Sequence, residues 1–565
     1  MSVTIRKKSF RSLVITHFLT IINDNLYKFL LVFFLLEGKS IGENAKILSA
    51  VSFFFALPFL LLAPLAGSLA DRYQKRNIIL VTRIVEIFCT SLGAYFFFVQ
   101  SAFGGYVVLI LMACHTAVFG PAKLGILPEM LPLDQLSKAN GIMSAATYTG
   151  SILGSCFAPI LIDLTRHFEI NSYVWSALIC VVSSIISTIV SFKIRPSNVK
   201  NRLQKIICVS FKDLWKILKD TRQVHYLTVS IVLVAFFLFV GAYTQVEIIS
   251  FVEFTLKYPK HYGGYLFPLV ALGIGVGSYI TGWISGKDIK LGYAPLAAVC
   301  ISLIFMGMCV SSISLILVII LLLLLGFSGG VYQVPLHAYV QYASPEHKRG
   351  QILAASNFLD FFGVLVAAVF VRFLGCGLGL SPEKSFLFMG WFILAVGIWN
   401  LWLWKEHVYR LLLATVLKKQ LKSFLKLEKT SEAKCYFAKV QSYREVRRIL
   451  AMFPKTMRCM VIILDQKLQP GWTTRLISYC VPTTISQTED ENKPIIQQAW
   501  AVLQAERLQI ALNKLPSICV ICLGQPQNVQ QFETILSAQG IKLNHVELSL
   551  HQVGNKQKYT LSERQ

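Results

Sequence analysis

Charge is scarce in this sequence. Asp, Glu, Lys and Arg make up 15% of its 565 residues, against about a quarter in an ordinary soluble domain. Ser49–Ala70 and Ser311–Tyr342 contain none of the four, and each exceeds the ~20 apolar residues that cross a bilayer. A soluble enzyme, a coiled coil and a disordered chain are thereby excluded for most of the length. Signatures of catalysis are lacking too. There is no H-E-x-x-H, no Walker P-loop and no His followed five residues later by Asp. Cys519 and Cys522 form a C-x-x-C inside SICVICL, but no second Cys pair or His partner accompanies them, so the string reads as a buried strand. The 13 Cys are scattered. Those in apolar stretches, among them Cys89, Cys114, Cys156, Cys180, Cys300 and Cys309, read as small buried hydrophobes rather than a disulfide framework. No cleavable signal peptide is visible, because MSVTIRKKSFRSLV runs into a segment too long for one. No metal or cofactor is expected.

What is present is apolar: 55% of the residues are hydrophobic, including 39 Phe. Twelve spans are expected, at about 10–36, 46–70, 77–99, 103–122, 139–163, 172–193, 225–250, 262–285, 292–311, 313–341, 351–375 and 384–406. The formal net charge of +25 would suggest nucleic acid in a soluble protein. Basic residues of membrane proteins instead gather in cytoplasmic loops, so no nucleic-acid partner is expected. One alternate set of loops holds Arg6, Lys7 and Lys8; Arg72, Lys75 and Arg76; the run from Lys193 to Arg222; Lys287 and Lys290; and Lys348 and Arg349. That set is assigned to the cytoplasm, with both termini inside an inner (plasma) membrane.

The organisation reads as a six-helix bundle over 1–193, a basic central loop over 194–224, a second six-helix bundle over 225–406, a basic amphipathic linker over 407–430 and a small α/β tail domain over 431–565. Within the central loop, FKDLWKILKD has the pattern of an amphipathic helix lying on the inner leaflet. The halves echo each other. FGPAKLGILPE around Pro121 and QVPLHAYVQYASPEHKRG around Pro335 both lead into a basic hinge and a new span. Repeats of this kind are typical of transporters that bind substrate between halves.

The string GSLADRYQKR, from Gly67 to Arg76, resembles the cytoplasmic signature of the major facilitator superfamily, G-x-x-x-D-R-x-G-[RK]-[RK]. The resemblance implies a gating set of Gly67, Asp71, Arg72, Lys75 and Arg76, in which Asp71 pairs with nearby positive charge and helix-terminus amides to latch one state. Gln74 stands where the signature has Gly. Four further strings are FLTIINDNLYKF, FGPAKLGILPEMLPLDQLSKANGIMSAAT, GGVYQVPLHAYVQYAS and RGQILAASNFLDFFG. In order, and at the expected spans, they resemble the lysophospholipid transporter branch of that superfamily over about residues 10–405. That resemblance implies a twelve-helix, six-plus-six fold that is all-α in the membrane. It also implies inward flipping of lysophospholipid for reacylation. Ser144 departs from the branch, whose members often carry Glu there.

Physical chemistry singles out overlapping residues. Asp24 and Lys28 lie four apart in the first span, on one helix face. Intramembrane charges are costly and usually meet a partner or an aqueous cavity. A zwitterionic headgroup offers an ammonium for Asp24 and a phosphate for Lys28 or Lys123; alternatively Asp24 and Lys28 neutralise each other. Asn25 adds hydrogen-bonding capacity, Asn140 lies in the second resemblance string, and Asp360 stands alone in the eleventh span. These six form the candidate substrate set. Arg83 and Glu86, three apart, are expected to pair with each other. Gly273 and Gly277 form a GxxxG suited to close helix packing.

Past Lys405 the composition changes. KEHVYRLLLATVLKKQLKSFLKLEK reads as a basic amphipathic helix at the membrane surface. Strands are expected at 458–464, 517–523 and 544–550, and helices at 492–514 and in VQQFETILSAQG. Relatives of the transporter branch often carry a fused glycerolipid acyltransferase, whose H-x-x-x-x-D pair this tail lacks. The tail therefore reads as an eroded, inactive acyltransferase-like domain or an interaction module. The rivals to lysophospholipid transport are a carrier for another amphipathic or anionic metabolite, a membrane-anchored acyltransferase, and a scaffold whose tail recruits an acyltransferase.

Overall fold

In hydrocarbon every backbone N–H and C=O must be satisfied within its own segment, so an apolar chain of this kind crosses as helices. The computed structural model describes residues 3–36, 41–132, 135–165, 172–195, 211–224, 226–258, 261–286, 289–310 and 314–416. In the tail it describes 421–423, 434–440, 443–452, 458–463, 483–485, 517–523, 533–534, 543–553 and 556–563. Two compact units emerge. One comprises Met1–Arg222, Tyr226–Gly286 and Ala297–Val396; the other comprises Gln223–His225, Lys287–Leu296 and Gly397–Gln565.

The first half supplies α1 (Val3–Leu36), α2 (Ile41–Arg72), α3 (Lys75–Phe98), α4 (Ala102–Gly125), the single turn α5 (Leu127–Met130), α6 (Leu136–Thr165) and α7 (Ser172–Ser191). A short helix, α8 (Phe211–Asp220), falls on FKDLWKILKD. The second half supplies α9 (Leu227–Ser250), α10 (His261–Ser285), α11 (Tyr293–Val310), α12 (Leu315–Ala343), α13 (Arg349–Arg372) and α14 (Pro382–Leu403). Eleven of these helices are long and apolar enough to cross a membrane, and α11 is a shorter apolar helix. Each of the twelve expected spans therefore has its helix.

Burial within the first unit is partly polar. Arg83 pairs with Glu86 and also donates to the Thr20 hydroxyl. Asn23 donates to Glu86 (3.0 Å) and to Ser184 (3.0 Å), tying α1, α3 and α7 together. In lipid such interhelical hydrogen bonds do what the hydrophobic effect does in water. The cysteines are less uniform than their apolar settings suggested. Cys89 and Cys180 are buried, Cys114 and Cys309 intermediate, but Cys156 and Cys300 are exposed. A bilayer supplies an apolar surround on the outside of a bundle, so a small hydrophobe there needs no protein cover.

Gly273 and Gly277 do seat a close helix crossing. A Cβ on Gly273 would lie 2.8 Å from the Phe327 nitrogen, and one on Gly330 would lie 2.6 Å from the Ile274 carbonyl. Glycines of α10 and α12 thus face backbone with no room for a methyl. Gly330→Val should lower the detergent-solubilised melting temperature and the folded yield, because overpacking costs about 1–3 kcal/mol. Gly241, with nothing within 4 Å of a Cβ, should accept Ala with no loss. Equal melting of both variants would remove the packing argument.

In the second unit, α15 (Lys405–Val416) is shorter than expected, and Leu421–Ser423 is a strand, β1, rather than its continuation. Nor does α15 lie free at a surface. Arg410 is fully buried, donating to the Leu450 carbonyl of α16 (Tyr443–Met452) at 3.1 Å. The strands β2 (Lys434–Val440), β3 (Arg458–Ile463), β4 (Thr483–Ile485), β5 (Ser517–Leu523), β6 (Leu543–Val553) and β7 (Lys556–Glu563) join β1 in one sheet, ordered β1-β7-β6-β2-β5-β3-β4. Only β6 and β7 pair antiparallel. SICVICL is β5, between β2 and β3, as an unbroken apolar run suits an interior parallel strand. Most of the two expected tail helices lies outside the described residues.

Candidate functional site

The residues of the expected gating set lie at the end of α2 and the start of α3. Asp71, at the last turn of α2, accepts the Gly350 amide at 2.6 Å and the Gln351 amide at 3.0 Å. Those are first-turn amides of α13, which have no partner inside their own helix. A carboxylate there gains charge-assisted hydrogen bonds and a favourable helix dipole. The approach depends on two glycines. A Cβ on Gly67 would lie 2.7 Å from that of Ala354, and one on Gly350 would lie 2.7 Å from Asp71 Oδ1. Lys75 pairs with Glu129 at 2.6 Å, Arg76 donates to the Phe192 carbonyl at 3.3 Å, and Arg72 lies over the Tyr73 ring. Gln74 sits at φ −59°, ψ 121°, a conformation open to any residue, so the missing glycine costs nothing.

A second seam closes beside the first. Asn140 on α6 and Gln341 on α12 exchange amide hydrogen bonds of 2.9 and 2.8 Å, and Gly141 meets Gly282 of α10 backbone to backbone. Both seams join the first half of the bundle to the second. The Asp71 end is therefore shut in this conformation.

Above these seams lies a cavity of about 390 Å³. Asp24, Asn25, Lys123, Asn140 and Asp360 all line it, as does Ser144. Asp24 comes from α1, Lys123 from α4 and Asp360 from α13, so both halves contribute charge. Thr116 donates to Asp24 Oδ2 at 3.0 Å, while Asp24 Oδ1 is buried with no hydrogen-bond partner among the described residues. Asp360 Oδ1 is in the same condition. Two orphaned carboxylate oxygens in a low-dielectric cavity are costly unless a cation or water meets them. Arg83 and Lys123 are positive charges within electrostatic reach of Asp24, and both lie over the Phe119 ring, at 4.4 and 5.7 Å from its centroid.

Lys28 stands apart from the other five. It does not line this cavity and makes no ion pair with Asp24; its ammonium lies 5.3 Å from the Phe55 ring centroid and 6.0 Å from that of Phe29. Helical spacing put Asp24 and Lys28 on one face, but α4 supplies Thr116 first and the long lysine stem turns towards the aromatics. Sequence reasoning also passed over His17, Thr116, Tyr148, Gln333, His337 and Asn357, which line the cavity. Polar side chains inside otherwise apolar spans were the available signal. His17 meets Thr147 at 2.7 Å, and Tyr148 reaches Gln333 at 3.4 Å, a long contact across the halves. Apolar walls come from Ile21, Phe55, Phe59, Leu124, Met143 and Leu238.

Residues 13–368 match the family model of the Major Facilitator Superfamily. The chain belongs to this superfamily. It is a multi-pass membrane transporter, and an acyltransferase reading of the chain as a whole falls away. It is similar to "Lysophospholipid transporter LplT" of Escherichia fergusonii, 26% identical over 413 residues, covering 71% of this chain and 96% of that protein. The protein of the same name from Citrobacter koseri is 26% identical over 423 residues, covering 72% and 97%. Among solved structures, the human organic anion transporter MFSD10 superposes with a TM-score of 0.58 at 14% identity, covering 70% of this chain and 99% of that one. The proton:xylose symporter XylE superposes with a TM-score of 0.54 at 10% identity, covering 70% and 96%. At such identities these two speak for the superfamily fold alone.

Proposed function

We propose that this transporter carries lysophospholipid inward across the inner membrane by alternating access. One observation carries the reading. A single cavity between the halves combines two partly unpartnered carboxylates, a lysine and apolar walls, which suits a zwitterionic headgroup attached to a hydrocarbon chain. Lys123 receives the phosphate, Asp24 the ammonium, and Asp360 of α13 lines the same cavity. The two similar bacterial proteins, both named as lysophospholipid transporters, support the same substrate class. Asp71 and its neighbours form the gate at the cytoplasmic end, shut in this conformation. Uptake of labelled lysophosphatidylethanolamine by cells lacking their own transporter should require the chain. Absence of uptake alongside transport of an unrelated organic anion would overturn the substrate and leave the carrier.

The same reading sets both termini in the cytoplasm, supported by the Lys/Arg bias of the loops. Cysteines introduced at positions 205 and 430 should resist impermeant maleimide in intact cells; labelling of either reverses the orientation. The tail, without an H-x-x-x-x-D pair, has no placed base for acyl transfer and acts instead as a contact for a separate acyltransferase that consumes the delivered lipid. Acyl transfer by the purified full chain would sink this assignment.

A further inference from the structure

The short helix α8 is not explained by carriage through the cavity. Its side chains sort sharply around the axis. At roughly 100° per residue, Leu218 and Trp215 share one arc, Lys219 lies about 40° beyond Trp215, Asp220 lies opposite, and Lys216 lies between Lys219 and Asp220. Trp215 is 67% exposed, and Lys216 and Lys219 are exposed as well. An exposed Trp flanked by lysines is the side-chain set that anchors at a headgroup layer. The charge of the surrounding segment points the same way. From Lys193 to Arg222 the sequence has nine Lys and Arg, and only Asp213 and Asp220 oppose them.

The opposite side of α8 is tied to the gate. Asp220 pairs with Lys348 at 3.2 Å. Lys348 is the residue immediately before α13, and the next amides but one, Gly350 and Gln351, are those that Asp71 accepts. Just past α8, the Thr221 hydroxyl meets that of Thr228 on α9 at 2.8 Å, and Thr221 is buried. The end of α8 is therefore fixed to the start of both α9 and α13, while its Trp and Lys side chains stay free.

We propose that α8 reads anionic phospholipid on the membrane surface and passes its engagement to the Asp71 latch through the Asp220–Lys348 pair. With lipid phosphates on Lys216 and Lys219 and Trp215 in the headgroup layer, α8 is held where Asp220 faces Lys348. The first turn of α13 then keeps the position at which Asp71 can accept its amides. On a neutral surface α8 loses its charge partners, Lys348 loses a fixed counter-ion and the latch opens more often. The occupant of this face is a bilayer carrying anionic lipid, argued from charge complementarity. The proposal does not depend on which substrate the cavity takes.

Amide hydrogen exchange on the full chain tests it, with no substrate present. The protein is placed in nanodiscs of phosphatidylcholine alone, or with a third of that lipid replaced by phosphatidylglycerol. Exchange is then followed in peptides covering α8 and the start of α13. Anionic lipid should slow exchange of α8 and also slow the Gly350–Leu353 amides about fivefold, the scale expected from one or two surface lysines and a half-exposed ion pair. Lys216→Gln with Lys219→Gln should abolish both effects. Asp220→Asn should keep the protection of α8 but remove that of α13. Unchanged protection of α4 shows that the variants are folded. Equal exchange of α8 in the two lipids overturns the surface assignment. Protection of α8 with no response at α13, or persistence of that response in Asp220→Asn, overturns the coupling.

Discussion

Asp71→Asn should slow lysophospholipid uptake by about tenfold or more while leaving the amount of protein in the membrane unchanged. The wild-type carboxylate offers two oxygens, and each accepts one amide of α13. An asparagine of the same shape retains one acceptor and places an NH2 group against the second amide. A donor then faces a donor at a site only 8% exposed, and the negative charge at a helix N-terminus is gone. Hydrogen bonds to charged groups contribute about 1.5–3 kcal/mol each, so the shut state should lose about a factor of ten to a hundred in population. Alternating access requires the shut state once per cycle, which converts that loss into rate. Gly350→Val provides a second route to the same end, since its Cβ would lie 2.7 Å from Asp71 Oδ1 and 2.8 Å from the Gly67 carbonyl. The check is initial-rate uptake beside quantitative immunoblotting of membranes. Undiminished uptake in Asp71→Asn would make the motif an ordinary loop; loss of the protein itself would make Asp71 a folding residue.

The latch shows which parts of this protein could be read in advance. Apolar length decided the spans, because a bilayer imposes one dimension on every crossing. The signature around Asp71 pointed to helix-terminus amides as its partners. It could not say which helix, since α2 meets α13 across 279 positions of sequence. The Asn140–Gln341 exchange, 201 positions apart, left no local trace either. Spacing alone did not decide Asp24: it shares a helix face with Lys28, yet Thr116 of a different helix takes the carboxylate. Arg83 and Glu86, three apart on α3, did pair, and Asn23 of α1 and Ser184 of α7 close the hydrogen-bond network around them. In the tail, all-apolar strands such as β5 were legible. β2 (KCYFAKV) and β7 (KQKYTLSE) were not, since they mix charge with apolar residues and owe their strand state to pairing with neighbours already in the sheet.

Asp24→Asn should impair transport of ethanolamine-headed lysophospholipid about tenfold more than that of glycerol-headed lysophospholipid. The pair Asp24–Lys28 cannot supply this selectivity, because Lys28 faces Phe55 and Phe29. The geometry instead leaves Asp24 with one oxygen bonded to Thr116 and the other buried, unpartnered and at the cavity wall. An ammonium entering the cavity would complete that carboxylate, and Lys123, which lines the same cavity, would take the phosphate. Asparagine can still accept from Thr116, so the local helix contacts survive the change, but the attraction for a cation does not. A charge-assisted contact in such a site contributes about 1.5–3 kcal/mol, which sets the tenfold scale. A glycerol headgroup has no ammonium and should feel the substitution far less. Thr116→Val separates orientation from charge: it frees the second oxygen without neutralising it, so headgroup preference should persist at a reduced overall rate. The competing account makes Asp24 a counter-charge for Arg83 and Lys123, with no contact to substrate. In that case Asp24→Asn removes a negative charge from beside Arg83 and Lys123, and uptake of both headgroups should fall together with the amount of folded protein. Competition uptake of the two lipids by the same cells, normalised to protein in the membrane, distinguishes the accounts: a ratio that shifts by tenfold places Asp24 on the ammonium, and an unchanged ratio removes it from the headgroup site.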